Sequence, residues 1–222
     1  SSDLILLDSK ADLVVYGMGE KNIVEIARRL AVGQTVKDLR DLRGVAYALG
    51  AKESAEPLPA GAEIIPSFER VQADKLAFAE ATRIIHTNTN PFNAATLVQF
   101  HDRQAVVQTP PALPLSQPET DAAYDLPFTR RPHPSYTEPI PAHEMIKDSV
   151  TIMRGCFGGC TFCSITAHQG RIIQSRSQDS ILKEVEKLAA DPEFKGHVSD
   201  VGGATANMYR MRCTRPDVEA KC

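Results

Sequence analysis

Three of the five cysteines fall within eight residues, Cys156-Phe-Gly-Gly-Cys160-Thr-Phe-Cys163, with three residues between the first pair and two between the second. Thiolates are the ligands that hold iron–sulfur clusters, and spacing this short lets a single loop wrap a cubane. Gly155, Gly158 and Gly159 offer the tight, positive-φ backbone that such wrapping requires. They also bring backbone N–H groups near the sulfurs, where hydrogen bonds would tune the potential. No fourth cysteine follows at matching local spacing, so a cubane held here would leave one iron open to an outside ligand. A structural zinc site is a competing reading; it wants four closed ligands, and His168 could supply the fourth. A disulfide inside the loop and merely structural thiols are the remaining alternatives.

The elements around the loop are those that place chemistry at a sheet end. Val150–Met153 reads as a strand running into the cysteines. Ser177 is placed to cap a helix whose apolar residues Ile181, Leu182, Val185, Leu188 and Ala189 form one stripe. Pro192 lies just past that helix, and Val198–Val201 reads as the next strand, stopping at Gly202-Gly203. A strand–loop–helix–strand of this size is a barrel or open-sheet building block, in which ligands gather at the carboxyl ends of strands. Two glycines ending a buried strand let a ligand approach the backbone closely; a plain strand-to-turn exit is the alternative.

The cysteine loop, with the aromatic Phe162 just before its third cysteine, resembles that of the radical S-adenosylmethionine (radical SAM) superfamily. The longer stretch from Met153 to Ser177 is similar to that of the YgiQ-type radical SAM proteins. So are Asp8-Ser-Lys-Ala-Asp12, Ile65-Pro-Ser-Phe-Glu69, Pro132-His-Pro134 and the stretch from Gly202 to Tyr209. The resemblance implies that Cys156, Cys160 and Cys163 ligate three irons of a 4Fe-4S cluster whose fourth iron binds S-adenosyl-L-methionine. It implies that Phe162 lies against the adenine, and that Gly202 and Gly203 meet the methionyl amino group with backbone carbonyls. It further implies reductive cleavage of S-adenosylmethionine, hydrogen abstraction from a substrate the sequence does not identify, and a small electron donor such as flavodoxin or ferredoxin. A non-catalytic iron–sulfur electron-transfer or binding module is the alternative function. In the family the region of Cys213 and Cys222 continues into further cysteines, so these two could begin an auxiliary site or remain free or structural thiols.

Upstream, the amino-terminal block reads as α/β. Leu4–Leu7 and Leu13–Tyr16 are short apolar runs expected as strands. Ile23, Ile26, Ala27 and Leu30 recur at helical spacing, with Asn22 able to cap and Gly33 at the end. Thr35 and Asp38 could open a short helical turn through Leu42, and Val45–Leu49 reads as a strand, completing a strand–helix–strand unit of the parallel-sheet kind. Pro57, Pro59, Gly61 and Pro66 break the pattern; Ser67 could then cap a helix to about His86. His86, Asn88 and Asn90 read as a capped turn around Pro91, Ala94–Phe100 as a short helix, and Ala105–Gln108 as a strand.

Nine of the 15 prolines lie between Pro110 and Pro141, which argues against regular helix or central strand and for an extended linker pegged by Tyr124, Phe128 and Tyr136, with a disordered linker as the alternative for its middle part. The expected organisation is therefore a partial Rossmann-like α/β domain over 1–109, a linker over 110–141, and the opening part of a partial TIM-type barrel over 142–222. His168 and Arg171 could meet substrate or a cofactor carboxylate, while Arg171 and Arg176 could equally be surface charges. The turn Gly17–Glu20 resembles the end of the sheet domain that precedes many radical SAM barrels, some of which bind cobalamin; the cobalamin-ligating Asp-x-His-x-x-Gly pattern is absent, so a plain strand-to-helix turn is preferred.

Composition sets the remaining bounds. A net charge of −3 gives no electrostatic case for nucleic acid or anionic membrane. No apolar run approaches the roughly 20 residues needed to span a bilayer, and the opening residues carry no charged n-region followed by an apolar h-region, so no secretory signal is expected in them. An odd number of cysteines, all from position 156 onward, suits a reducing cytoplasm better than a secreted disulfide framework. The missing initiating methionine and the lack of a closing element after Met211 lead us to expect a piece of a longer protein.

Overall fold

The computed structural model describes residues 2–55, 57–203 and 206–221. The chain divides into two compact units: residues up to Pro114 together with the stretch from Cys213 onward, and Leu115–Arg212 between them. Both mix helix and strand, so the α/β expectation holds.

In the first unit, α1 (Ser2–Ser9), β1 (Val14–Val15), α2 (Glu20–Ala31) and a 3-10 turn (Val36–Asp41) precede β2 (Val45–Leu49). A second 3-10 turn (Glu53–Ala55), β3 (Glu63–Ile64), α3 (Phe68–Ala73), α4 (Lys75–Thr87), β4 (Leu97–His101) and β5 (Gln104–Gln108) follow. The five strands form one sheet in the order β1-β2-β5-β4-β3. Only β3 and β4 run parallel; Val14 faces Ala46, Ala46 faces Gln108, and Val98 faces Val107 in antiparallel ladders. The parallel sheet expected from the first strand–helix–strand is thus corrected. Here α2 and the 3-10 turn make one excursion that returns the chain to the end it left, so β2 pairs antiparallel with β1. The two-residue turn at Asp102-Arg103, with Asp102 at φ 50, folds β4 onto β5 as a hairpin. Tyr47, Val98, Ala105 and Val107 form the core of this sheet, with Phe100 and Leu49 packed against it.

Several local expectations change. Leu4–Leu7, read as a strand, lies inside α1, and Leu6 is buried. Ala94–Phe100, read as a helix, gives way to β4, whose register is set by the hairpin with β5. The helix expected from Ser67 to His86 is broken once, because Asp74 leaves helical geometry and its side chain accepts from Leu76 N, capping α4. Ser67 does cap α3. Asn22 does not cap α2; Gly19 holds that position, and the Asn22 amide donates to Arg43 O at 2.7 Å. Arg29 likewise reaches Asp38 O at 2.7 Å and the Asp41 carboxylate. These polar anchors leave Ile23, Val24 and Leu30 of α2 exposed rather than buried as a stripe. The Thr35–Asp38 box forms as read, with Thr35 N donating to the Asp38 carboxylate at 2.7 Å.

The second unit holds α5 (Gln117–Tyr124), α6 (Pro141–Ile146), β6 (Ser149–Thr151), β7 (Met153–Arg154), α7 (Ile165–Gln169), β8 (Gln174–Ser175), α8 (Gln178–Ala189) and β9 (Asp200–Gly202). A four-residue helix, α9 (Pro216–Glu219), lies in the stretch that returns to the first unit. The proline-rich stretch is therefore not extended throughout. Ser116 and Glu119 make a capping box, with Ser116 N donating to the Glu119 carboxylate at 2.8 Å, and Pro118 sits in the first turn, where its missing N–H costs nothing. Of the three expected pegs, Tyr124 is half-buried while Phe128 and Tyr136 are exposed.

Strands β6 and β9 pair in parallel, Val150 against Val201, and β7 pairs antiparallel with β8, Met153 against Ser175. Among the described residues no closed barrel is formed. Val150, Ile152, Met153 and Leu188 make the core, packed by Ile181 and Val185 from α8. Ser177 caps α8 as expected, accepting from Ser180 N at 3.1 Å.

Candidate functional site

The cysteine loop leaves β7 through Gly155, which is buried at φ 92. A Cβ on Gly155 would stand 2.3 Å from the carbonyl oxygen of Ile172, so only glycine fits between the two passing chains. The loop is then tied down at its root. Gly155 N donates to Gln169 Oε1 at 3.1 Å, Cys156 N donates to Gly170 O at 3.0 Å, and Thr166 Oγ1 donates to Cys156 O at 3.1 Å. Short helix α7 therefore braces the loop it follows, with Thr166 buried against it.

Cys156 is buried at this root, Cys160 is exposed at the tip, and Cys163 is intermediate; none is in a disulfide. Gly158 N donates to Cys156 Sγ at 3.4 Å, one of the amide–sulfur contacts that the glycine content led us to expect. Gly159 takes φ 65 and lets the tip turn, and Cys163 N closes back on Cys160 O at 3.1 Å. His168 is exposed, and among the described residues no three His, Cys, Asp or Glu side chains stand close enough to hold one metal ion. The closed zinc set is thus not assembled. A cubane spreads its thiolates over several irons, so its ligands stand farther apart than those around a single ion.

Gly202 and Gly203 lie beside the strand that feeds the loop. Gly202 is opposite Thr151, its carbonyl accepts from Ile152 N at 2.9 Å, and a Cβ on Gly203 would meet the Met153 side chain at 2.9 Å. The structure therefore brings the glycine pair alongside the cysteine strand. Phe162 is 91% exposed. Ala204 and Thr205, within the matched glycine stretch, and Cys222 lie outside the described residues. Cys213 is exposed in the other unit, where its Sγ donates to Arg215 O at 3.3 Å.

Arg171 and Arg176 separate cleanly. The Nε of Arg171 is buried and has no hydrogen-bond partner, although its neighbours Gly170 and Ile172 are the residues packed on Cys156 and Gly155. An orphaned cationic donor at the loop's root fits the negative charge of a thiolate-ligated cluster, and three thiols on one glycine-bent loop fit its irons. Arg176 is no surface charge; it is 1% exposed. Its guanidinium donates to Thr151 O at 2.8 Å, to Ser180 O at 2.8 Å and to the Glu184 carboxylate, which also receives Arg130. Sequence reasoning missed this cluster, and it missed Thr166 and Gln169; Tyr124, expected as a linker peg, instead ends α5. The Ser116-x-x-Glu119 capping box was the available signal for the helix that carries Tyr124.

His86, Asn88 and Asn90 form the capped turn that their types suggest. Asn88 accepts from Ala95 N at 2.7 Å, and Asn90 accepts from Phe92 N at 3.0 Å and donates to Glu219 O at 2.8 Å. Among the described residues no helix is long and apolar enough to cross a membrane.

Comparison with known proteins supplies the remaining observation. Residues 2–149 match the family model described as Radical SAM N-terminal. Over 98% of its length the chain is 51% identical to a UPF0313 protein of Bradyrhizobium diazoefficiens, and over 94% it is 54% identical to one of Geobacter sulfurreducens. It is 41% identical over 98% of its length to the UPF0313 protein YgiQ of Salmonella typhimurium. The chain spans 35%, 34% and 38% of those three proteins, about a third of each. No solved structure matches.

Proposed function

The chain belongs to the YgiQ-like radical SAM family, and on that footing we propose that it is part of a radical enzyme in which Cys156, Cys160 and Cys163 hold three irons of a 4Fe-4S cluster. When bound, the cluster and S-adenosylmethionine supply one-electron cleavage of a carbon–sulfur bond, giving methionine and a 5′-deoxyadenosyl radical that abstracts hydrogen from the substrate. The observation that carries this reading is the braced cysteine loop at the end of β7 with Gly202 and Gly203 beside its strand. Cys156 would hold the group from the buried root of the loop, and exposed Cys160 and intermediate Cys163 would supply the other two thiolates. The Gly158 amide, which donates to the Cys156 sulfur, would stabilise charge there. Gly202 and Gly203 would offer backbone carbonyls to the methionyl amino group, and Phe162, now in solvent, would meet the adenine. Arg171 offers its orphaned Nε to the anionic side of the site.

In this reading the β6–β9 pair with α8 is the first part of a partial barrel that later strands complete, and 1–109, 110–141 and 142–222 are its leading domain, connection and barrel start. The electron comes from a small carrier such as flavodoxin or ferredoxin, in the cytoplasm. The protein is reconstituted anaerobically with iron and sulfide, reduced, and assayed for 5′-deoxyadenosine from S-adenosylmethionine. Wild type should release the nucleoside, and Cys160→Ala should lose both cluster and cleavage. A cluster without nucleoside release would leave an electron-transfer module, and zinc without iron uptake would sink both readings.

A further inference from the structure

The three glycines of the cysteine loop are not there for one reason. Gly155 at φ 92 and Gly159 at φ 65 take backbone conformations that side chains avoid. Gly158 does not; its φ lies outside that positive range, so its backbone does not call for glycine. What Gly158 lacks is a Cβ, and that atom would stand 3.4 Å from Cys156 Sγ and 3.8 Å from Cys160 Sγ. Its chain neighbours aside, no other heavy atom of the described residues comes within 4 Å of that position. Both distances are ordinary van der Waals contacts, so the loop as it stands would accept a methyl group there. Two thiols from opposite ends of a four-residue step thus flank one space above the Gly158 Cα. The Gly158 N–H donates to Cys156 Sγ at 3.4 Å, so the same residue already faces the first sulfur.

We propose that Gly158 is a size-determining residue of the loop: its bare Cα keeps free the space between the Cys156 and Cys160 sulfurs, and a side chain there shuts the cluster out without disturbing the loop. The inference rests on the cluster assignment above and adds to it which residue sets the room that the loop leaves. Thiolates that bind one inorganic core have that core between them. A methyl group in contact with both sulfurs competes for the same volume, and a rigid core cannot yield to it as a flexible side chain would. A glycine kept for the turn and a glycine kept for room lead to different outcomes. In the first case alanine strains the unloaded loop; in the second the unloaded loop tolerates alanine and only uptake fails.

The test compares wild type, Gly158→Ala and Gly159→Ala. The unloaded chains are followed by thermal unfolding and by thiol titration. Iron and sulfide per chain and the visible absorbance are then measured after anaerobic reconstitution with iron and sulfide. Gly158→Ala should melt with wild type and titrate the same number of thiols, yet lose most of its iron and sulfide. Gly159→Ala strains the tip at φ 65, but its Cβ would meet nothing within 4 Å, so it should keep a larger share of its iron than Gly158→Ala does. Wild-type iron content in Gly158→Ala overturns the proposal. So does a lowered unfolding midpoint or a lost thiol in that variant beside the lost iron, since the loop itself would then have changed. An equal loss of iron in both variants overturns it as well. A wild-type protein that takes up no iron and sulfide sinks the underlying assignment instead, and the inference with it.

Discussion

Replacing Glu184 with leucine should destabilise the second unit by about 3 kcal/mol. Glu184 is the shared carboxylate of two guanidiniums, Arg176 with its side chain 1% exposed and Arg130 with 17%. Removing one partner of a buried ion pair costs about 3–5 kcal/mol, because a charge is left uncompensated away from water. The lower figure applies here. Arg176 keeps Thr151 O and Ser180, and Arg130 keeps Lys147 O at 2.7 Å and Ser149 O at 2.9 Å, so both retain hydrogen-bond partners. For a chain of this size that loss lowers the unfolding midpoint by roughly 6–12 °C. Thermal unfolding followed by circular dichroism measures it, and amide exchange in α8 assigns the loss to this unit. Adding Arg176→Met should recover much of the deficit, since an apolar replacement removes the stranded charge. A single variant that melts within about 2 °C of wild type, or a double variant less stable than the single, would refute the reasoning.

Two glycines give graded forecasts. Gly155→Ala drives a Cβ to 2.3 Å from a backbone oxygen at φ 92, where the backbone conformation alone costs about 1–3 kcal/mol, so a lowered unfolding midpoint and lost iron uptake are expected. Gly203→Ala brings a Cβ to 2.9 Å from the side chain of Met153, a buried core residue, so a smaller drop in the midpoint is expected together with weaker calorimetric binding of S-adenosylmethionine to the reconstituted protein. In the first unit, Lys37 and Arg40 hold the Glu53 carboxyl down at about 2 from 4.5. Its contribution to stability is present above about pH 4.5 and is lost as the pH falls from there toward 2. Carbon-detected titration of the Glu53 carboxylate should show the low midpoint, and Arg40→Ala should raise it.

The elements legible in the sequence are those whose signals are local. Ser177 announces α8, the Thr35–Asp38 box announces the 3-10 turn, and the short apolar run Val45–Leu49 announces β2. The misses have physical causes. Leu4–Leu7 is uniformly apolar, and such a run does not distinguish strand from buried helix. The alanines of Ala94–Phe100 suggest helix, yet the chain there is captured by pairing with β5, a tertiary decision. Helical spacing on α2 announces the helix but not which side is covered: Ile23 and Leu30 are exposed, while Asn22 and Arg29 bond to residues 38–43. The cysteine loop was readable because three cysteines and three glycines lie within nine residues. Its supports were not. Arg176 looks like any charged residue in sequence, and its burial follows from Glu184 and from Tyr124, which lies 52 positions earlier.

The place of α5 bears on how such a protein can be inherited. The stretch matching the N-terminal family model runs to residue 149, the first residue of β6, whereas the compact unit that holds the cysteine loop begins at Leu115. Residues 115–149 thus travel in sequence with one module and fold into the other. A recombination event at residue 149 would join a foreign Glu184 to the resident Arg130, and a foreign Arg154 to the resident Tyr124. Both pairs would have to match by accident, so the evolutionary unit here is larger than either module.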